Sequence, residues 1–155
     1  MRRAKPETRR IQPDIRYNNI HIQIMIQHML SRGKKSLATH LVYDSMDLIK
    51  ERTKKDPVEI FELALKNIAP VMEVRPRRVG GATYQVPMEV APNRRITLAL
   101  RWILAAANER SGKSFPDKLA AELIDASNAA GAAMRKRDET HKMAEANRAF
   151  SHYRL

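Results

Sequence analysis

Apolar residues recur at helical spacing along most of this chain, and the stretches that break the period are the informative ones. Between Asn19 and Ser31, Ile20, Ile22, Ile24 and Ile26 alternate with polar neighbours as a strand would, yet Ile22, Met25, Ile26, Met29 and Leu30 share one helical face. The run is too long for an ordinary strand and Gly33 stands ready as a C-terminal cap, so a helix is predicted. A basic turn, Gly33-Lys34-Lys35, leads to a second helix from Ser36 to about Thr53, with Ala38, Leu41, Val42, Leu48 and Ile49 on its apolar face and Met46 nearby. The third helix has the clearest start. Asp56 can cap, Pro57 suits the first turn and Glu59 completes a capping-box-like arrangement. Ile60, Phe61, Ala64, Leu65 and Ile68 follow at core spacing, and Pro70 ends the element.

From Met72 to Val90 the period changes from helical to alternating. Two β-prone runs flank Gly80-Gly81, the signal for a two-residue hairpin. That turn sets Val79 opposite Ala82, Arg77 opposite Tyr84, Arg75 opposite Val86 and Glu73 opposite Met88. Arg75, Arg77, Tyr84 and Val86 then share one face, and Arg78 takes the other with Thr83. Pro76 and Pro87 cannot donate to a ladder, which suits a lone ribbon with free edges. The helical period then resumes. Pro92 and Asn93 open a fourth helix ending near Arg110, with Ile96, Ala99, Leu100, Ile103 and Ala107 inward and Arg94, Arg95 and Arg101 outside the stripe. Ser114 caps a fifth, which carries Leu119, Leu123 and Ile124 and is closed by Gly131. A sixth runs from Ala132 to about Ala149, rich in alanine and charge, a pattern that suits a helix lying partly outside the core. The expected fold is mainly α: a six-helix, bundle-like single domain of 155 residues with one inserted, protruding β-hairpin at 72–90 and a C-terminal helix and tail at 132–155.

Charge sharpens this picture. The formal net charge is +12, and residues 1–16, 71–95 and 134–155 contribute +4, +3 and +3 of it. Cations concentrated on both ends and on a ribbon are the footprint of a nucleic-acid binder; the bland alternative is a solvated surface whose arginines keep the hairpin edges from pairing. Residues 1–13, with Pro6 and Pro13, read as a flexible basic arm that orders on a partner. The opening residues lack the apolar run of a secretory leader, and no stretch approaches membrane-spanning length. With cysteine absent, neither disulfides nor thiolate metal sites are available. A reducing interior such as the cytosol is expected, or an organelle that makes the protein internally.

Catalytic chemistry finds no foothold. His21, His28, His40, His141 and His152 lack ligand spacing, so no metal is expected and the imidazoles read as exposed or RNA-facing. Gly80-Gly81 lacks the lysine and hydroxyl residue of a phosphate-cradling loop. Glu59, Glu62, Asp138 and Glu139 read as helix-start and surface charges. Trp102 and the eight methionines fall at or near core positions. No cofactor or small-molecule substrate is indicated, and the chain does not read as an enzyme.

Three motifs in order, GKKSLA after the first helix, RRVGGATYQVP in the hairpin and THKMAEANRAFSHYR at the end, closely resemble the small-subunit ribosomal protein seven family, bacterial type. DPVEIFELALKNIAP and TLALRW extend the resemblance over nearly the whole chain. It implies a six-helix fold with a hairpin, and a primary binder of the 3′ major (head) domain of small-subunit ribosomal RNA that nucleates head assembly. It implies proximity to transfer RNA and messenger RNA at the exit site, and contact with neighbouring proteins nine and eleven. Lys34, Lys35, Arg75, Arg77, Arg78, Arg94 and Arg95 match basic positions of the family's RNA-facing surface. Gly80, Gly81 and Tyr84 match the tip that looks toward the exit-site transfer RNA, and Tyr153 and Arg154 lie in the segment near the neighbouring protein. Arg2, Arg3, Arg9, Arg10, Arg101, Lys113 and Lys136 complete the expected ribosomal RNA contacts; the first ten residues match the family only in being basic. Pro76 and Leu155 depart from the family, which has a small residue at the first position and often an aromatic at the second.

The mechanism so implied is binding without catalysis. Cations displace counterions from phosphates, and the RNA is recognised by shape. Tyr84 either stacks on an unpaired base or packs across the ribbon on Arg77. Two rival classes stand beside this one. An architectural DNA-binding protein would use the ribbon as a minor-groove arm, and a helical interaction scaffold would use the sixth helix and survive high salt.

Overall fold

The structure is a computed structural model and describes residues 10–153. Six α-helices and a hairpin follow in the expected order: α1 (Ile20–Met29), α2 (Lys35–Thr53), α3 (Pro57–Ile68), β1 (Met72–Val79), β2 (Ala82–Glu89), α4 (Pro92–Glu109), α5 (Phe115–Ser127) and α6 (Ala132–Ala146). The capping chemistry explains several starts. Asn19 Oδ1 accepts from the backbone N–H of His21 and Ile22 at 2.7 and 3.1 Å, Asp56 accepts from Val58, and Ser114 accepts from Asp117. The ambiguous isoleucine-rich run is helical because Ile22, Met25 and Ile26 are buried together, whereas Ile20 stays exposed.

Helix α5 lies at the centre, packed against α2, α3, α4 and α6. Its Leu119, Ala120, Leu123 and Ala126 meet Val42, Met46 and Ile49 of α2, Phe61, Ala64 and Ile68 of α3, and Leu100 and Ile103 of α4 in one core. Trp102 packs at its edge, while Met143 is exposed and so is not a core methionine.

Three boundaries correct the sequence reading. Helix α1 ends at Met29, and Gly33 sits beyond it in the turn with a positive φ of 75°, not at the helix cap. Helix α5 ends at Ser127, and Gly131, far from closing it, is the N-cap of α6. Helix α6 stops at Ala146 and the chain tightens into a 3-10 helix, Arg148–Tyr153. Gly131 owes its identity to a buried side chain. Its φ is +97°, and a Cβ there would come within 2.8 Å of Glu122 Oε1. Glu122 is 0% exposed and accepts from the Ala133 N–H at 2.9 Å, doing for α6 what no N-cap side chain does. Arg110 neutralises it at 2.8 Å, by proximity of charge more than by an aligned hydrogen bond, and also pairs with Asp125.

Candidate nucleic-acid interface

The hairpin forms the expected register, with Val79 opposite Ala82, Arg77 opposite Tyr84, Arg75 opposite Val86 and Glu73 opposite Met88. Gly80 and Gly81 have φ of 58° and 88°, the left-handed pair that a primed two-residue turn demands. Pro76 pairs opposite Gln85 without a break in register. The root of the ribbon is buried through Glu73, Val86 and Pro87, and from Arg75 to Thr83 every residue is exposed. The ribbon therefore protrudes.

Its arginines divide into two kinds. Glu73, only 6% exposed, holds Arg75 Nε at 2.6 Å and Arg94 Nε at 2.9 Å, so both cations partner one buried carboxylate. Their side chains remain 45% and 44% exposed, leaving outer guanidinium edges open to solvent. Arg95 donates to the Val90 carbonyl at 2.8 Å, tying the start of α4 to the end of the ribbon. Arg77 and Arg78 have no ion-pair or hydrogen-bond partner among the described residues, and both are exposed. The pairing of Glu73 with Arg75 was legible in their spacing, two apart on one strand face; the reach of Arg94 from another element was not.

The aromatic group at the ribbon is engaged inside the chain. The Tyr84 ring lies 5.3 Å from Phe150 and 5.1 Å from Tyr153, centroid to centroid, so it packs on the closing 3-10 helix. His141 ties the same corner together, its Nε2 accepting the Val71 N–H at 3.1 Å. That bond requires a neutral ring, and burial first, then the nearby Arg137, holds the His141 pKa below its ordinary value. His21 is likewise no free imidazole, since its Nδ1 sits 2.9 Å from Glu62. Glu62 also accepts from Asn19 at 2.7 Å, so it fastens the cap of α1. Between ribbon root and α6 an open, mostly apolar groove of about 560 Å³ is lined by Val71, Met72, Pro87, His141, Ala144 and Arg148.

The remaining expected contacts are scattered over the body. Lys34 and Lys35 are exposed at the start of α2 and free of ion pairs among the described residues. Arg101 is exposed on α4, close enough to His28 to help lower its pKa, after burial. Lys113 is exposed in the α4–α5 turn, and Arg10 at the first described position. Lys136 pairs with Glu139 at 3.1 Å, a surface pair worth little. Arg137 beside it is structural, donating to the Asn67 carbonyl at 2.5 Å. Arg2, Arg3, Arg9 and Arg154 lie outside the described residues. Among the described residues no group of His, Asp and Glu could hold a metal ion, and no helix is long and apolar enough to cross a membrane.

A packed helical body that projects cations on a ribbon and on its turns defines a class, the polyanion-binding proteins whose recognition elements stand off a rigid core. Comparison with known proteins narrows it. The family model described as ribosomal protein S7p/S5e matches residues 1–148, and the chain belongs to that family. Among similar proteins, the small ribosomal subunit protein uS7 of Thermomicrobium roseum is 55% identical over 153 residues, covering 99% of this chain and 98% of the relative. Those of Acaryochloris marina and Moorella thermoacetica are 55% and 56% identical with the same coverage. The chain is thus a structural, non-enzymatic ribosomal protein of the small subunit, bacterial in type and cytoplasmic, with RNA binding in translation as its setting.

Proposed function

We propose that this ribosomal protein is a primary binder of the 3′ major domain of small-subunit ribosomal RNA and nucleates assembly of the head. The observation that carries this is the pair Arg77 and Arg78, exposed on a protruding ribbon without partners among the described residues. Unpaired cations displace counterions at no cost in broken ion pairs. Arg75, Arg94 and Arg95 contribute from the ribbon root, Lys34 and Lys35 from the α1–α2 turn, and Arg101, Lys113 and Lys136 from the body. The basic arm, residues 1–13, of which 1–9 lie outside the described residues, adds further cations for the RNA. Holding separate RNA segments in one arrangement lowers the entropic cost for later proteins.

The ribbon tip at Gly80-Gly81 faces the exit site, close to transfer RNA and messenger RNA. Tyr84 serves there as a brace for the ribbon, a role supported by its packing on Phe150 and Tyr153. The groove between the ribbon root and α6, lined in the closing 3-10 helix by Arg148 and Ser151, supports contact with neighbouring proteins, nine and eleven being the expected ones.

The test is binding of the full chain to a head-domain RNA fragment over a salt series, with bent duplex DNA as competitor. Arg77→Ala/Arg78→Ala is expected to weaken binding roughly ten-fold and to flatten the salt slope by about 2, since two phosphate contacts are lost. Equal loss of wild-type binding to the DNA competitor would sink the ribosomal RNA reading in favour of an architectural DNA binder.

A further inference from the structure

The α2–α3 turn carries an excess of positive charge that the hairpin surface does not explain. Residues Arg16 and Tyr17 on one side, and Asp47, Lys50, Lys54 and Lys55 on the other, wall a cleft of about 580 Å³. Its first wall is built to hold a shape. Asp14, 3% exposed, accepts from the backbone N–H of Arg16 and of Tyr17, both at 3.0 Å, and from the Tyr43 hydroxyl at 2.6 Å. Tyr17 and Tyr43 meet edge to face at 5.9 Å, and the Arg16 guanidinium lies 5.2 Å from the centre of the first ring.

Both acids of the cleft have partners other than its lysines. Asp47 takes a two-point bond from Arg16 at 3.0 and 2.7 Å, and Asp56 caps α3 through the Val58 N–H. Lys50, Lys54 and Lys55 are all exposed and form no ion pair or side-chain hydrogen bond among the described residues. Three ammonium groups without ion-pair partners among the described residues therefore rim one concave surface whose lining has four cations, counting Arg16, against the carboxylates Asp47 and Asp56. Lys54 adopts a left-handed φ of 58° that ends α2 and starts the turn.

Position separates this surface from the others. The 12 residues of α3 put about 18 Å between the cleft, at its N-terminal end, and the hairpin root beyond its C-terminal end. The 19 residues of α2 put about 28 Å between the cleft and the Lys34-Lys35 turn. The geometry points to a third RNA-contact surface, in which Lys50, Lys54 and Lys55 bind backbone phosphates of an RNA segment separate from the one gripped by the hairpin. The inference rests on the ribosomal RNA reading above. Lysines act as mobile point charges, which suits phosphates spaced along a strand and reads no base. Lys50 also complements the C-terminal dipole of α2, a purely structural role that the test must separate.

The full-length wild type, the triple variant Lys50→Gln/Lys54→Gln/Lys55→Gln and the hairpin double variant are compared on the head-domain RNA fragment by salt-dependent binding and by hydroxyl-radical footprinting. The triple variant is expected to bind at least ten-fold more weakly near physiological salt, to flatten the salt slope by about 2 to 3, and to lose protections at nucleotides that the hairpin double variant still protects. The pair Lys54→Gln/Lys55→Gln, outside α2, is expected to do the same to a lesser degree with an unchanged melting temperature, and a lysine-to-arginine triple is expected to bind as wild type. Wild-type affinity and slope in the triple variant would overturn the inference while leaving the hairpin reading intact. So would loss of only those protections that the hairpin variant loses, or displacement of the cleft from RNA by polyglutamate alone, which would assign it to an acidic protein segment. Failure of the wild type to bind the RNA would instead sink the reading on which the inference rests.

Discussion

Glu122 is the residue on which the C-terminal third of the chain depends. A carboxylate with no solvent exposure survives because Arg110 offsets its charge and the Ala133 N–H gives it a hydrogen bond. Removing it leaves the start of α6 uncapped and Arg110 short of one of its two partners. Glu122→Ala is expected to cost about 3 kcal/mol in urea unfolding, and Glu122→Gln about 1–2 kcal/mol, because the amide oxygen still accepts from Ala133. Equal losses in the two variants would show that charge, and not the cap, is what matters there. Nothing in the local sequence marks Glu122 as special. It sits between Ala121 and Leu123 like any helical glutamate, and only the packing of α4 and α6 around α5 buries it.

Among elements, the hairpin and the closing 3-10 helix form one unit. Tyr84, Phe150 and Tyr153 pack together, and His141 fastens α6 to the chain just before β1. Tyr84→Ala removes the central ring. It is expected to destabilise the protein by about 1–2 kcal/mol and to raise amide hydrogen exchange in residues 148–153 and in the outer ribbon. Helices α2 to α5 should keep wild-type protection; uniform loss across the core would mean that the latch is part of global folding. The hairpin register was readable from Gly80-Gly81 and the alternating pattern. The latch was not, because 3.6-residue periodicity continues through Asn147 and gives no sign that α6 ends at Ala146.

For the whole molecule, two histidines make stability depend on pH. Burial, aided by Arg137 at His141 and by Arg101 at His28, holds both pKa values below the ordinary histidine value. The unfolded chain therefore takes up protons first as pH falls. Their contribution to stability is complete above the unfolded pKa of roughly 6.5 and is lost progressively as pH drops through it toward the depressed folded values. Wild type is expected to lose more stability between pH 7.5 and 5 than the His141→Gln variant, measured as the shift in urea midpoint. A midpoint shift unchanged by the substitution would show that protonation of His141 does not set the pH dependence. Net charge acts at the same scale. Self-repulsion in a chain of +12 opposes compactness, and RNA that binds only the folded form should raise its stability by mass action.

What the sequence determined by itself was local in origin. Helical spacing around Phe61 and Leu119, the caps Asp56 and Ser114, the glycine pair of the turn and the clustering of charge along the chain each depend on neighbours within a few positions. They were enough for the mainly helical architecture, the ribbon register and, with its three motifs, the family. Tertiary structure alone decided which charges are free. Arg75 and Arg94 are drawn to a buried Glu73, Arg137 to the end of α3, and Arg16 to Asp47, whereas Arg77, Arg78, Lys50, Lys54 and Lys55 remain unpaired among the described residues. Most of those pairings join residues far apart in the chain, and an ion pair depends on the distance that folding sets, which no count of charges along the sequence contains.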